Sequence, residues 1–202
     1  MPKATSLGGG GPLNPIDDCY IIIPYEGARP PESGRQSPTF KFFDKYVQII
    51  MDNLPDISDT KSANYADETI IGRSNPVKTY SQSDNRSISM QLHFIVSKQN
   101  DLYENLAKLR AIQSAVYPRE GEGGGSPFIP PPVCKMKCGN LLGTKEICVI
   151  LKSYSVKFPT DVAWDDESKT FTPYKFDIDT TWDVVYSSSN LPGQNEIFNA
   201  GA

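Results

Sequence analysis

Long apolar runs are missing from this chain. No stretch approaches the roughly 18 consecutive apolar residues a transmembrane helix needs, so membrane insertion is not expected. The opening MPKATSLGGGGPLNP lacks the apolar middle of a secretory signal, and a soluble protein made in the cytoplasm is expected. Histidine occurs once, at position 93, which leaves little material for imidazole-based metal or nucleophilic sites. A basic excess is absent too: the formal net charge is −4 and the pI about 5.1, so no global positive field holds nucleic acid tightly. If DNA is a partner, it passes without sticking.

Cysteine is sparse. Cys19, Cys134, Cys138 and Cys148 have neither the density nor the spacing of a disulfide scaffold, and reduced, buried thiols are expected. Zinc on Cys134 and Cys138 would require VCKMKC to be a turn, because in a strand these positions lie about 13 Å apart. The glycines of GEGGGS precede no Lys-Ser or Lys-Thr pair and follow no strand, so they read as linker instead of phosphate loop. Asn85, Arg86 and Ser87 spell a glycosylation acceptor without a secretory route to use it. No internal repeat of solenoid period is visible.

What the chain does have is alternation. In residues 86–96, Ile88, Met90, Leu92, Phe94 and Val96 fall on one face of an extended strand, and Ser87, Ser89, Gln91 and His93 on the other. The pattern returns in residues 174–184, where Lys175, Asp177, Asp179, Thr181 and Asp183 share the polar face. Such strands belong to a sheet that is dry on one side and wet on the other.

Residues 1–18 read as an N-terminal arm, too poor in apolar area to order alone. Residues 19–186 read as one β domain, and 187–202 as a C-terminal tail. Within the domain, strands are expected at 19–24, 41–51, 86–96, 133–138, 146–158 and 174–184. The 41–51 segment is expected to be covered on both sides, and residues 52–83 to form a long polar loop. A helix is expected at 101–117, with Leu102, Leu106, Leu109 and Val116 on one stripe, Asn100 or Asp101 capping its start and Pro118 ending it. Residues 119–132 are Gly- and Pro-rich linker. Strands around one helix fit a mainly β, α+β fold of antiparallel sheets.

The chemistry-bearing residues read as follows. Carboxylates in line on a strand diverge, whereas a cation needs oxygens converging on it, so Asp177, Asp179 and Asp183 are expected to form a solvated acidic face. Asp165, Asp166 and Glu167 read as surface charge, and His93 as an exposed imidazole. The hydroxyls of Ser187, Ser188 and Ser189 have no nearby histidine to activate them. Trp164 and Trp182 read as core or interface anchors. No enzyme, cofactor or metal is expected.

The block GRSNPVKTYSQSDNRSISMQLHF (72–94), the helix closing on Tyr117 and Pro118, PPPVCKMKCGNLL and the strand ICVILKSYSVKF together resemble a family of bacteriophage tail proteins. These are the tube-initiator or tube-hub adaptor proteins of contractile-tailed phage baseplates. The resemblance spans about residues 70–186. It implies a tail-tube fold: two packed antiparallel sheets with a flanking helix, closing between subunits into the barrel of a hexameric ring.

The resemblance further implies a structural role in the virion tail baseplate, assembled in the host cytoplasm. The ring would connect the central hub to the tail tube, initiate tube polymerisation and leave a channel for DNA. Its partners would be other copies of itself, the tail tube protein, hub or wedge proteins, and DNA in transit. Asp177, Asp179 and Asp183 are then candidate channel-lining residues whose acidity would repel phosphate, and Ser87, Ser89, Gln91 and His93 are the alternative lining. The 1–18 and 119–132 segments would reach neighbouring rings or baseplate. Competing readings are a tail tube or tail-terminator protein at another level, a small-ligand or carbohydrate-binding β-sandwich using Trp164 and Trp182, and a hydrolase using the Asp cluster.

Overall fold

The computed structural model describes residues 19–24, 37–43, 45–118, 129–143, 145–165 and 171–186. The expected arm at 1–18, the linker at 119–128, the tail at 187–202 and the acidic pair Asp166 and Glu167 lie outside the described residues.

The chain is mainly β with one helix among the described residues. Its strands are β1 (Cys19–Pro24), β2 (Phe40–Phe42), β3 (Tyr46–Ile50), β4 (Asp56–Thr60), β5 (Ala63–Glu68), β6 (Val77–Ser83) and β7 (Ser87–Ile95). The helix α1 (Gln99–Ser114) follows, then β8 (Cys134–Cys138), β9 (Ile147–Lys157), β10 (Trp164–Asp165), β11 (Thr172–Pro173) and β12 (Lys175–Val184). Eight strands form one antiparallel sheet in the order β2-β3-β1-β8-β9-β12-β7-β4, while β5 with β6 and β10 with β11 make two small sheets. Among the described residues no sheet closes into a barrel.

Alternation decides which face is dry. Ile88, Met90, Leu92 and Phe94 of β7 are buried and stand in register with Trp182, Thr180, Ile178 and Phe176 of β12. The rings of Phe94 and Phe176 stack at 5.2 Å. Cys19, Ile21 and Ile23 of β1, Cys134, Met136 and Cys138 of β8, and Val149 and Leu151 of β9 continue the same core. Each large apolar side chain so buried contributes roughly 1.5–3 kcal/mol. Thr180 is the polar exception in this layer, and it is satisfied: its hydroxyl donates to the Met90 carbonyl at 3.0 Å and accepts from Trp182 Nε1 at 2.9 Å.

This sheet cannot be flat. β3 and β4 stand second and eighth in the strand order. Flat, they would be six spacings or about 29 Å apart, yet the chain between Ile50 and Asp56 reaches at most about 21 Å. The sheet therefore bends, bringing β3 and β4 nearer to each other than a flat sheet would allow; it is one continuous eight-stranded sheet. The helix bridges the margins. Asn105 Nδ2 donates to the Ile95 carbonyl at the end of β7 (3.3 Å), and one turn on, Lys108 Nζ donates to Thr39 Oγ1 beside β2 (2.9 Å) and to Asp52 beyond β3 (3.0 Å).

The helix begins at Gln99, two residues before the expected start, with Lys98 and neither Asn100 nor Asp101 at the N-cap; Asp101 is the third helical residue, and its Oδ2 accepts from the N–H groups of Ser97 and Lys98. It ends at Ser114, short of Tyr117, although Ala115 remains buried in the turn that follows. Leu102 and Leu109 are buried as expected from their spacing, together with Ile112.

Two expectations are corrected. The single strand at 41–51 is the short hairpin of β2 and β3, which pair through Phe40↔Ile49 and Phe42↔Val47. The polar loop at 52–83 is mostly strand. β4 pairs with β7 at the sheet margin, and β5 and β6 continue the same hairpin outward as a two-stranded arm. These strands carry no apolar alternation because no core lies beneath them: every residue of β5 is exposed, and all of β6 but Val77.

Candidate functional site

The two candidate linings are one surface. In the β12–β7 register Asp177 stands opposite His93, Asp179 opposite Gln91, Thr181 opposite Ser89 and Asp183 opposite Ser87. Their inward neighbours are buried, so all seven candidate residues lie on the wet face, as their alternation predicts. β9 extends this surface on the other side of β12, with Asp177↔Lys157 and Asp179↔Ser155. A bulge in β9 lets Lys152 and Ser153 both face solvent before the alternation resumes.

The surface is not the bare acidic face anticipated from the sequence. Each aspartate has a basic neighbour: Asp177 Oδ1 lies 2.7 Å from His93 Nδ1, Asp179 Oδ2 3.0 Å from Lys157 Nζ, and Asp183 Oδ2 3.4 Å from Lys152 Nζ. The physical reason is register, which brings His93, Lys157 and Lys152 of the flanking strands within reach of the aspartates of β12. Nor is His93 freely exposed. It is half-buried between Asp177 on one ring nitrogen and Asp56 on the other, Nε2 to Oδ2 3.6 Å. Since the carboxylates sit on opposite sides of the ring, their oxygens do not converge, and among the described residues no group of three or more His, Cys, Asp and Glu could hold a metal ion.

Asp165 is also corrected, from surface charge to a buried residue of β10. Cys134 and Cys138 occupy a β-strand, the arrangement in which one tetrahedral ion cannot reach both. Cys19 faces Cys138 across β1 and β8, and burial, reinforced by the hydrogen bond between them, pushes the Cys19 thiol far up, away from thiolate chemistry. Cys148 is the exposed cysteine of the four. Trp182 is fully buried and unavailable to a ligand, while Trp164 packs against Phe158 at 6.5 Å and Phe171 at 5.1 Å. The pair of tryptophans expected for a sugar platform is therefore split between core and rim.

Two polar clusters were not singled out from the sequence. Lys108 is 1% exposed and lies 2.9 Å from Glu104 and 3.0 Å from Asp52. The spacing of Glu104 and Lys108 signals an i,i+4 pair, but nothing local signals that it is buried. Burial alone would raise the Glu104 carboxyl; the Lys108 charge and hydrogen bonds from Ser37, Thr39 and Lys108 outweigh it and hold the group below its ordinary value. At the root of the arm, Arg86 Nε donates to Asp59 Oδ1 and Oδ2 at 2.9 and 3.0 Å, and Nη1 and Nη2 reach the Leu142 carbonyl at 3.2 Å. The Asp59 hydrogen bonds raise the Arg86 pKa further, despite partial burial.

Among the described residues no helix is long and apolar enough to cross a membrane. No protein-family model matches the chain, and no curated protein matches it.

Proposed function

We propose that this chain is a non-enzymatic structural protein of a bacteriophage tail baseplate, whose copies form a ring joining the central hub to the tail tube, initiate tube polymerisation and leave a channel for DNA. The observation that carries the reading is the continuous polar surface of β7, β12 and β9, in which both candidate linings coincide. Two further features favour assembly. Among the described residues the margin strand β4 pairs on one side only, with β7, and closing such an edge between copies removes it from solvent. The resemblance over residues 70–186 supplies the level in the tail.

In this reading the sheets of successive copies line up as an inter-subunit barrel, in a hexameric ring, with Asp177, Asp179, Asp183, Ser87, Ser89, Gln91 and His93 facing the lumen. DNA would then slide past a hydrated, ion-paired wall. Phosphates are neither held by unpaired basic clusters nor expelled by bare carboxylates, because Lys157 and Lys152 already compensate Asp179 and Asp183, and His93 lies against Asp177.

Mass photometry and negative-stain microscopy of the purified chain test the proposal. Rings with a central opening are expected. A monodisperse monomer at concentrations of tens of micromolar would overturn it.

A further inference from the structure

The arm formed by β5 and β6 is the largest unused feature of the molecule. A two-stranded ribbon is marginally stable alone in water, and this one is held by Tyr65 against Tyr80 (5.8 Å) and the Lys78–Asp67 ion pair (2.9 Å) without a core beneath it. It carries Ile70 and Ile71 to its tip, where Ile71 is 105% exposed. The tip stands roughly 30 Å beyond the Thr60–Ser87 pair at its root, at the usual rise per residue of a strand.

Among the described residues the wet face carries an apolar spot at one end of β9, apart from the exposed Ile95 at the far end of β7. On β9, Cys148 and Ile150 point outward. Val185 lies beside Cys148, its N–H donating to the Cys148 carbonyl at 2.9 Å, and Val133 precedes β8 where the Cys134↔Val149 register places it beside Ile150. Val133, Ile150 and Val185 are all exposed. Lys135, opposite Cys148, rims the spot on one side, and Asp183, opposite Ile150, on the other.

We propose that the arm tip of one copy clasps this spot on a second copy of the same chain. The inference rests on the ring reading above and names a contact that would hold the ring together; the spot lies at the Asp183 end of the lining, so the clasp would edge the mouth of the channel and leave Asp177, Asp179, Gln91 and His93 to the lumen. The order of charges matches: Glu68, the two isoleucines and Arg73 on the arm meet Lys135, the apolar spot and Asp183 on the face. The present partners of the rim charges, Glu146 for Lys135 (3.5 Å) and Lys152 for Asp183 (3.4 Å), are solvent-exposed pairs that cost little to exchange. Tip and spot are different surfaces, so the contact is heterologous and propagates from copy to copy until a ring closes.

Cys148 allows a direct test, since it lies in the spot and the other three cysteines are buried. Full-length Ile71→Cys is oxidised with diamide and run on a denaturing gel without reductant, beside the wild type and the Ile71→Cys/Cys148→Ser double variant. A ladder of covalent multimers from Ile71→Cys alone is expected, and Ile70→Ser/Ile71→Ser should weaken association at least about tenfold. A wild type that assembles by mass while Ile71→Cys gives no ladder sinks the clasp and leaves the ring reading standing. A ladder that persists in the double variant shows the tip meeting something other than this spot, which also overturns it. A wild type that stays monomeric sinks both.

Discussion

His93 Nδ1 lies 2.7 Å from Asp177 Oδ1, across a directly opposed pair of β7 and β12. The contact welds the two strands whose polar residues make up the proposed lining. Both side chains are partly exposed, so water screens their attraction. A double-mutant cycle with His93→Ala and Asp177→Ala, read by urea denaturation, should give a coupling of about 0.5–1 kcal/mol. Raising the salt should shrink it. A coupling of zero at low salt would make the pair a geometric coincidence of the register.

Lys108 is a different case, because it is buried where helix and sheet margin meet. Lys108→Met keeps the stem packed but strands Glu104 and Asp52 without their cation. Removing one member of a buried pair costs about 3–5 kcal/mol when the other is fully enclosed. Asp52 is 40% exposed, so about 2–3 kcal/mol by the same principle is expected in urea unfolding. Lys108→Met combined with Glu104→Leu should recover part of the loss, since no orphan charge then remains on the helix.

The Glu104 carboxyl also sets an acid limit. Its folded pKa is lowered below the ordinary 4.5, so the folded chain binds its proton less readily than the unfolded chain. The resulting stability is fully present above 4.5 and is lost as the pH falls through the lower folded value. Thermal melts of the wild type should therefore fall more steeply below 4.5 than those of Glu104→Gln. Parallel pH profiles for the two proteins would refute this assignment.

How much of this was legible in the sequence follows from which residues carry local information. The strands β7 and β12 are legible because a period of two is a local signal, and it puts the seven proposed lining residues on the wet face. The register that merges them into one surface is a long-range property, with Ser87 meeting Asp183 nearly half the chain away. So is the ion pairing that cancels the acidity. The arm reads as loop in the sequence because Ala63–Glu68 and Val77–Ser83 lack the apolar side of a half-buried strand, and only pairing with each other makes them strands. The bend of the sheet was hidden for the same reason: the short chain between β3 and β4 becomes informative only once their places in the strand order are known.

Trp182 and Thr180 give a core prediction. Thr180→Val keeps the shape of the side chain but removes the acceptor for Trp182 Nε1 and the donor to Met90. A buried indole N–H left unpaired costs about 1–3 kcal/mol. Unfolding free energies should fall by that amount, with Trp182 fluorescence reporting the transition. Trp182→Phe in the Thr180→Val background should then cost less than it does alone, because the polar group to be satisfied is gone.

Arg86 fixes the direction in which the arm leaves the body. Its guanidinium reaches both oxygens of Asp59 in the margin strand and, with its other edge, the Leu142 carbonyl in the turn after β8. A planar fork can serve two acceptors on two elements at once; an ammonium on a flexible stem cannot reproduce that geometry. Arg86→Lys keeps the charge and loses the bridge, so about 1–2 kcal/mol of stability should disappear by the strength of charge-assisted bonds. The loss should be local. Hydrogen exchange should quicken in β4 and at the root of the arm while the β12–β9 ladder stays protected, since the guanidinium bridge runs between β4 and the turn after β8. Uniform quickening across the sheet would mean that Arg86 supports the fold as a whole and does not aim the arm.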